Sequence, residues 1–503
     1  MSLKRVAMIA LVSVVIAVPG LIFFSKGQRL SPDSTNSTSV IRVAVPFTAF
    51  KSARIIDPSD TASTTEYYIL ENLGIGLLRD DPGDARSYVA GLANSWRQSS
   101  DLIWEFELAA TSRWSDGKPI DLNQIAAHVT RLAQSESRHL SRLKILKSAT
   151  VDEATRILRL EFKSKVDRGI LHELSLADAV LTSAENRSGN WSVTSGPYSM
   201  AAFDLNQRQM VLSKNTYYAG HAGPATNGLP PDKVELFWPA DGNIRELFTS
   251  HHADLFAPSA FTFKPEFSDL DRTAPRRHLG HATGNFLFGL DKRDSNAANP
   301  LVRNAFAAVV RLYFRGVQSL PKAWKYDDQV IPFGFAGRLE HFTPLPTDLT
   351  VLKGRKLTII MYEALSALQE IFDGLALEAR KHGAEISFKY AKVPFEEVSF
   401  ARVIGFKGNQ RDPVGSWSFL FSGSKNPIST FRSDYESDFA HLTSTTNEAF
   451  ETSLARFHKK VLDDAVIVPF VLEETPVYTS ARVDLSAWNQ FDMRLRFYDI
   501  RIK

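Results

Sequence analysis

The sequence predicts a multi-domain α/β protein, and three observations carry that prediction. The chain has 503 residues, more than one hydrophobic core serves at ~150 residues per domain. Hydrophobic residues make up 44% and charged residues 23%, the balance of an ordinary folded globular chain. Lys356 to Met361 reads as a strand, Leu365 to Lys381 as a helix ending at Gly383, and Glu385 to Tyr390 as a second strand. Such a strand–helix–strand unit forces parallel pairing with a right-handed crossover.

The elements follow in order. Lys4 and Arg5 precede an apolar run from Val6 to Phe24, so residues 1–30 read as an export signal. The same 19-residue run is long enough to stay as a membrane anchor with the basic residues inside; Phe23-Phe24-Ser25 is a poor cleavage site and Val18-Pro19-Gly20 a passable one, and the alternatives stay open. Residues 31–39 are polar throughout and read as a flexible linker. Val40 to Val45 is the first strand. Leu102 to Leu108 alternates, with Trp104, Phe106 and Leu108 on one face, as a half-buried strand does. Ser115-Asp116-Gly117 is a turn. Asp121 caps a helix in a capping-box arrangement with Gln124, and Leu122, Ile125, Ala126, Val129, Leu132 and Ala133 form its apolar stripe. Ile157 to Phe162 is another alternating strand. A short helix is expected near Asp241. Asn299-Pro300 opens a helix, since Asn caps and Pro suits the first turn. Arg402 to Phe406 extends the sheet of the strand–helix–strand unit.

Composition excludes several classes of function. The formal charge is +3, but residues 1–30 hold four basic residues and no acid, which leaves residues 31–503 at −1. A near-neutral body offers no footprint for a phosphate backbone, so nucleic acid is not a partner. The absence of cysteine removes disulfides, thiolate metal sites and a cysteine nucleophile. There is no His-Glu-x-x-His, no Gly-x-Ser-x-Gly and no phosphate-binding glycine loop. Gly74-Ile75-Gly76 lacks the third glycine of a dinucleotide loop. His251-His252-Ala253-Asp254 reads as a turn, because adjacent histidines point different ways. No enzyme, metal or cofactor is expected.

Eight short motifs occur in series: Gly91 to Trp96, the Trp104 strand, Trp114 to Ile120, Gly196-Pro197-Tyr198, Lys214 to Tyr218, Val302 to Ala305, Asp412-Pro413, and Val468-Pro469-Phe470. In this order they resemble the extracellular solute-binding proteins of the oligopeptide, dipeptide and nickel class, which serve ABC importers. The resemblance implies the two-lobed periplasmic binding protein fold, with a hinge and an extra subdomain inserted in the first lobe. Residues 40–78, 195–286 and 479–503 would form the discontinuous first lobe, 79–194 the inserted subdomain, and 287–478 the second lobe. Strands near Phe286 and Val477 would cross between lobes as the hinge. Most of the motifs mark turns and lobe cores. The implied function is a monomeric receptor at the periplasmic or other extracytoplasmic face. It would capture a peptide or peptide-like solute between the lobes and deliver it to a membrane permease. The alternative is a sensor or scaffold, anchored by residues 6–24, that kept the fold without import.

Ligands of open parallel sheets bind beyond the carboxyl ends of the strands, which points to the segment after Phe406. The candidate ligand-binding residues are Phe406, Asn409, Arg411, Asp412 and Trp417. Relatives place an Asp in this loop against a peptide's ammonium; Asn409 stands at that position and cannot cancel charge. Asp412 also suits a structural Asp-Pro turn. Arg311-Leu312 departs from the Asp-Arg pair that often ends this helix in the class.

Overall fold

The structure, a computed structural model, describes residues 40–45, 64–81, 84, 87–135, 137, 139–218, 220, 229–238, 253–256, 276–279, 284–391, 397–406, 412–421, 426–444, 448–474, 476–486 and 496–503. The expected export segment, the linker and the short helix near Asp241 lie outside these residues.

Three large sheets and two two-stranded ribbons form among the described residues. The first has seven strands in the order Arg276–Leu279, Pro476–Thr479, Leu255–Phe256, Val40–Ala44, Lys233–Phe237, Gln209–Lys214 and Tyr198–Asp204. Val40–Ala44 runs parallel to both of its neighbours. The second has six strands: Trp324–Tyr326, Ile467–Glu473, Gly284–Leu290, Ala401–Phe406, Lys356–Tyr362 and Glu385–Ala391. The third is antiparallel, with Ala93–Ser100, Ile103–Leu108, Ile157–Phe162 and Leu146–Asp152. Each sheet has its own apolar core. Phe106, Leu158 and Phe162 centre the four-stranded one, Ile41, Leu70 and Leu212 the seven-stranded one, and Phe288, Phe306 and Phe470 the largest.

The chain changes from the seven-stranded to the six-stranded sheet between Leu279 and Gly284, and returns between Glu473 and Pro476. Both changes fall a few residues before the expected Phe286 and Val477, and Gly284 to Gly289 pairs with Ile467–Glu473. Both of these strands are buried at every residue, as central strands covered on two faces are.

Val468-Pro469-Phe470 has a physical reason. Proline cannot donate to a ladder, and within a sheet it belongs at edges or bulges. Here the register slips, so that Phe286 faces Val471 while Leu287 faces Pro469, leaving Phe470 as the extra residue. The bulged side chain packs at 4.6 Å from Phe288, 4.8 Å from Phe314 and 6.2 Å from Phe372, centroid to centroid.

Helices cover the sheets where their caps begin them. Asp121 accepts from the Asn123 amide and starts Leu122–Ala133. The expected reciprocal contact with Gln124 does not form part of this cap, which uses the second helical residue rather than the third. Asn299 caps Pro300–Gly316 by accepting from Leu301. Lys356–Tyr362 and Glu385–Ala391 pair in parallel around Gln369–Lys381. That helix starts four residues after its expected Leu365, behind a 3-10 turn over Glu363–Leu368. The other motifs are turns and core positions. Gly117 has φ +85°, open to glycine without strain, and Trp114 beside it is buried in the four-stranded core. The Asn215 side chain donates to the Gly196 carbonyl, and the Tyr198 hydroxyl to that of Pro231.

Candidate functional site

The candidate site grows from the end of Ala401–Phe406. Of the residues expected there, Asn409 and Arg411 lie outside the described ones. Phe406 is buried in the core of the six-stranded sheet. Trp417 sits on the helix Pro413–Leu420, but its ring is turned inward, 5.2 Å from Phe457 and 5.6 Å from His458. At 2% exposure it is a core residue here, with no face left for a solute. Its apolar bulk is better satisfied under the helix than in a cleft.

Asp412 has two tasks. As the cap of Pro413–Leu420 it accepts from the Gly415 amide at 3.0 Å, where an anion also suits the helix dipole. The same carboxylate takes both ends of the Arg142 guanidinium, at 2.7 Å from Nη1 and 3.0 Å from Nη2. Arg142 lies beside the four-stranded sheet and Asp412 at the start of a helix packed on the six-stranded one, so this bidentate pair joins the two cores.

Arg142 is held from behind. Its Nε donates to Asp167 at 2.7 Å and its Nη1 to Glu173 at 3.4 Å. Glu173 also accepts from the backbone amides of Arg142 at 2.8 Å and Leu143 at 3.0 Å, and from the Ser141 hydroxyl at 3.1 Å. A Cβ at Gly169 would fall inside the guanidinium, so only glycine admits this approach.

Charges follow from these contacts. Burial works against the Asp412 carboxylate, but Arg142 and then His172 outweigh it and hold its pKa below the usual value. Burial likewise opposes the Arg142 charge, and Asp412, Asp167 and Glu173 together push its pKa well above the usual value. For Glu173 burial wins. Its pKa is pushed up to about 7, against the pull of Arg142 and the two amides. Bidentate guanidinium–carboxylate pairs of this kind are strong and directional. They bind and orient; they do not by themselves turn over a substrate.

The sequence singles out Asp412 as a ligand residue or a turn brace, and gives no sign of Arg142, Asp167 or Glu173. No local pattern marks them, since they stand 270, 25 and 31 residues from their respective partners. Among the described residues no group of three or more His, Cys, Asp or Glu is arranged to hold a metal ion; His251 and His252 lie outside them. No helix among the described residues is long and apolar enough to cross a membrane.

The architecture is the fold of the two-lobed periplasmic binding proteins. Residues 87–310 match the bacterial extracellular solute-binding proteins, family 5 Middle, and the resemblance carried by the motif order is to that family. No curated protein matches the sequence. Among solved structures, HbpA2 from Haemophilus parasuis superposes with TM-score 0.74 at 13% identity, covering 92% of this chain and 100% of that one. The periplasmic binding protein DppA from Helicobacter pylori, in complex with the peptide STSA, gives TM-score 0.67 at 15% identity over 92% and 98%. NikA from Staphylococcus aureus, in complex with Ni(L-His)2, gives 0.67 at 14% over 92% and 100%. At these identities the likeness is one of fold.

Proposed function

We propose that this chain is an extracytoplasmic receptor that captures a peptide or peptide-like solute between its lobes and hands it to a membrane permease. The observation that carries the reading is the family match over residues 87–310 on a chain whose two large sheets are joined by two crossings. Paired crossings let lobes bend about a hinge and enclose a ligand. Recognition falls to the segment after Phe406, with Asn409 and Arg411 as its ligand-facing residues. Asp412 is committed to Arg142, and Asn409 carries no charge. The favoured solute is therefore one without a free ammonium at that point, because a buried unpaired cation is strongly disfavoured. The test is a thermal-shift screen of the purified protein against N-blocked and free peptides and small anionic solutes, with mass spectrometry of solute carried through a non-denaturing purification. A raised melting temperature with blocked or anionic members is expected. A flat screen with an empty mass spectrum would unseat the receptor reading.

The run Val6 to Phe24 admits either cleavage or attachment, and the N-terminus of the mature protein separates a released receptor from an anchored one. An intact N-terminus on protein extracted from native membranes is the expected result for an anchored receptor or sensor.

A further inference from the structure

We propose that Arg142 is a latch for the closed state: it is carried ready-charged on the inserted subdomain and grips Asp412 of the second lobe when the lobes meet, whether or not a solute is present.

Three features support this. First, Arg142 is preorganised. Asp167 holds Nε and Nη2 at 2.7 and 3.3 Å, while Glu173 ties down the arginine's own amide. Little side-chain freedom remains to be lost when the lobes close. Second, the contact is buried: the Arg142 side chain is 12% exposed and that of Asp412 9%. Salt therefore screens it far less than a surface pair. Third, each half is satisfied when the other leaves. Arg142 would keep Asp167 and Glu173, and Asp412 would keep the Gly415 amide and gain water. Opening strands no buried charge, so the heavy penalty for breaking a buried pair does not trap the lobes shut. The latch is reversible by construction.

The consequence concerns affinity. The apparent dissociation constant of a solute scales inversely with the fraction of protein in the binding-competent arrangement. A solute-independent contact that favours closure tightens every solute alike and selects none. Arg142 is thus a positioning residue, distinct from the residues that read the ligand.

The absence of cysteine makes the test clean. Thr155→Cys in the subdomain and Ser437→Cys in the second lobe, both exposed, would carry nitroxide labels on the full chain stripped of solute. Pulsed electron–electron resonance should then show a short-distance, closed population. Asp412→Asn keeps the helix cap, since Asn caps as well as Asp, and removes the charge. It should lower the closed-to-open ratio about tenfold or more with little change in melting temperature; Arg142→Gln should shift the ratio the same way but also lower the melting temperature, because Asp167 and Glu173 lose their partner. Identical distance distributions in the parent and both variants would overturn the latch. The inference rests on the receptor reading, but the distances are recorded without solute. Failure of the solute screen with the distances shifted as expected would remove the receptor and leave the latch; unshifted distances with a positive screen would do the reverse.

Discussion

Acid should weaken the second lobe through His458. This side chain is 0% exposed; its Nε2 accepts from the Val330 amide at 3.1 Å and its Nδ1–H donates to the Gly337 carbonyl at 3.1 Å. Both bonds are made by the neutral ring, and protonating Nε2 would destroy the first. Burial, helped by the charge of Arg338, pushes the pKa from 6.5 down to about 3. Between those two values the unfolded chain holds a proton that the folded chain lacks. Stability is therefore complete above pH 6.5 and is lost as pH falls toward 3. From pH 7 to pH 4 the loss is ~3 kcal/mol at 1.36 kcal/mol per pH unit. His128 has the same sign and is also depressed to about 3. Glu173, raised to about 7, acts the other way, because the folded state takes up its proton first as pH falls from 7 toward 4.5. A variant comparison cancels both. Urea unfolding of the parent and His458→Gln at pH 7 and pH 4 should show the parent losing ~3 kcal/mol more than the variant over that interval. Equal losses would refute the assignment of a buried neutral histidine, as would an imidazolium signal from His458 in NMR spectra at pH 5.

Two stability predictions follow from packing and capping. Phe470→Ala empties the centre of an aromatic cluster formed with Phe286, Phe288, Phe314 and Phe372, and should cost about 3–5 kcal/mol in denaturant unfolding; a loss below 1 kcal/mol, roughly that of a surface change, would mean the bulge does not direct this ring inward. Asn299→Ala removes the side-chain bond to the Leu301 amide at 3.0 Å and should cost about 1 kcal/mol, while Asn299→Asp should cost almost nothing; equal effects of the two would show that the cap is not what matters.

Features legible in the sequence share one property: their partners are close along the chain. Asn299-Pro300 announces its helix because cap and capped amide are two residues apart. The strand–helix–strand unit over 356–391 was readable because its periods change from 2 to 3.6 and back within one short stretch. The strand Ile157–Phe162 fell where alternation put it. Errors arose where proximity in sequence stood in for proximity in space. Trp417 lies five residues after Asp412, and adjacency suggested the cleft; the helix Pro413–Leu420 instead rotates it onto Phe457. Arg311, noted as a departure at the end of its helix, proves to be buried with Phe342 5.1 Å from its guanidinium.

The amino-acid sequence by itself determined the class of fold, through periodicities, caps and turns that are local and short-ranged. It also determined that the body is near neutral and without cysteine, and that Asp412 stands before Pro413, a pair that suits a turn. Only the tertiary structure decided what Asp412 does there. Its partner Arg142 lies 270 residues earlier, on another core, and the fork that joins them needs Asp167, Glu173 and the missing side chain of Gly169 to bring it into place. A charge pair of that kind has no periodicity to announce it, because its strength comes from burial and geometry, and both exist only once the separate cores have come together.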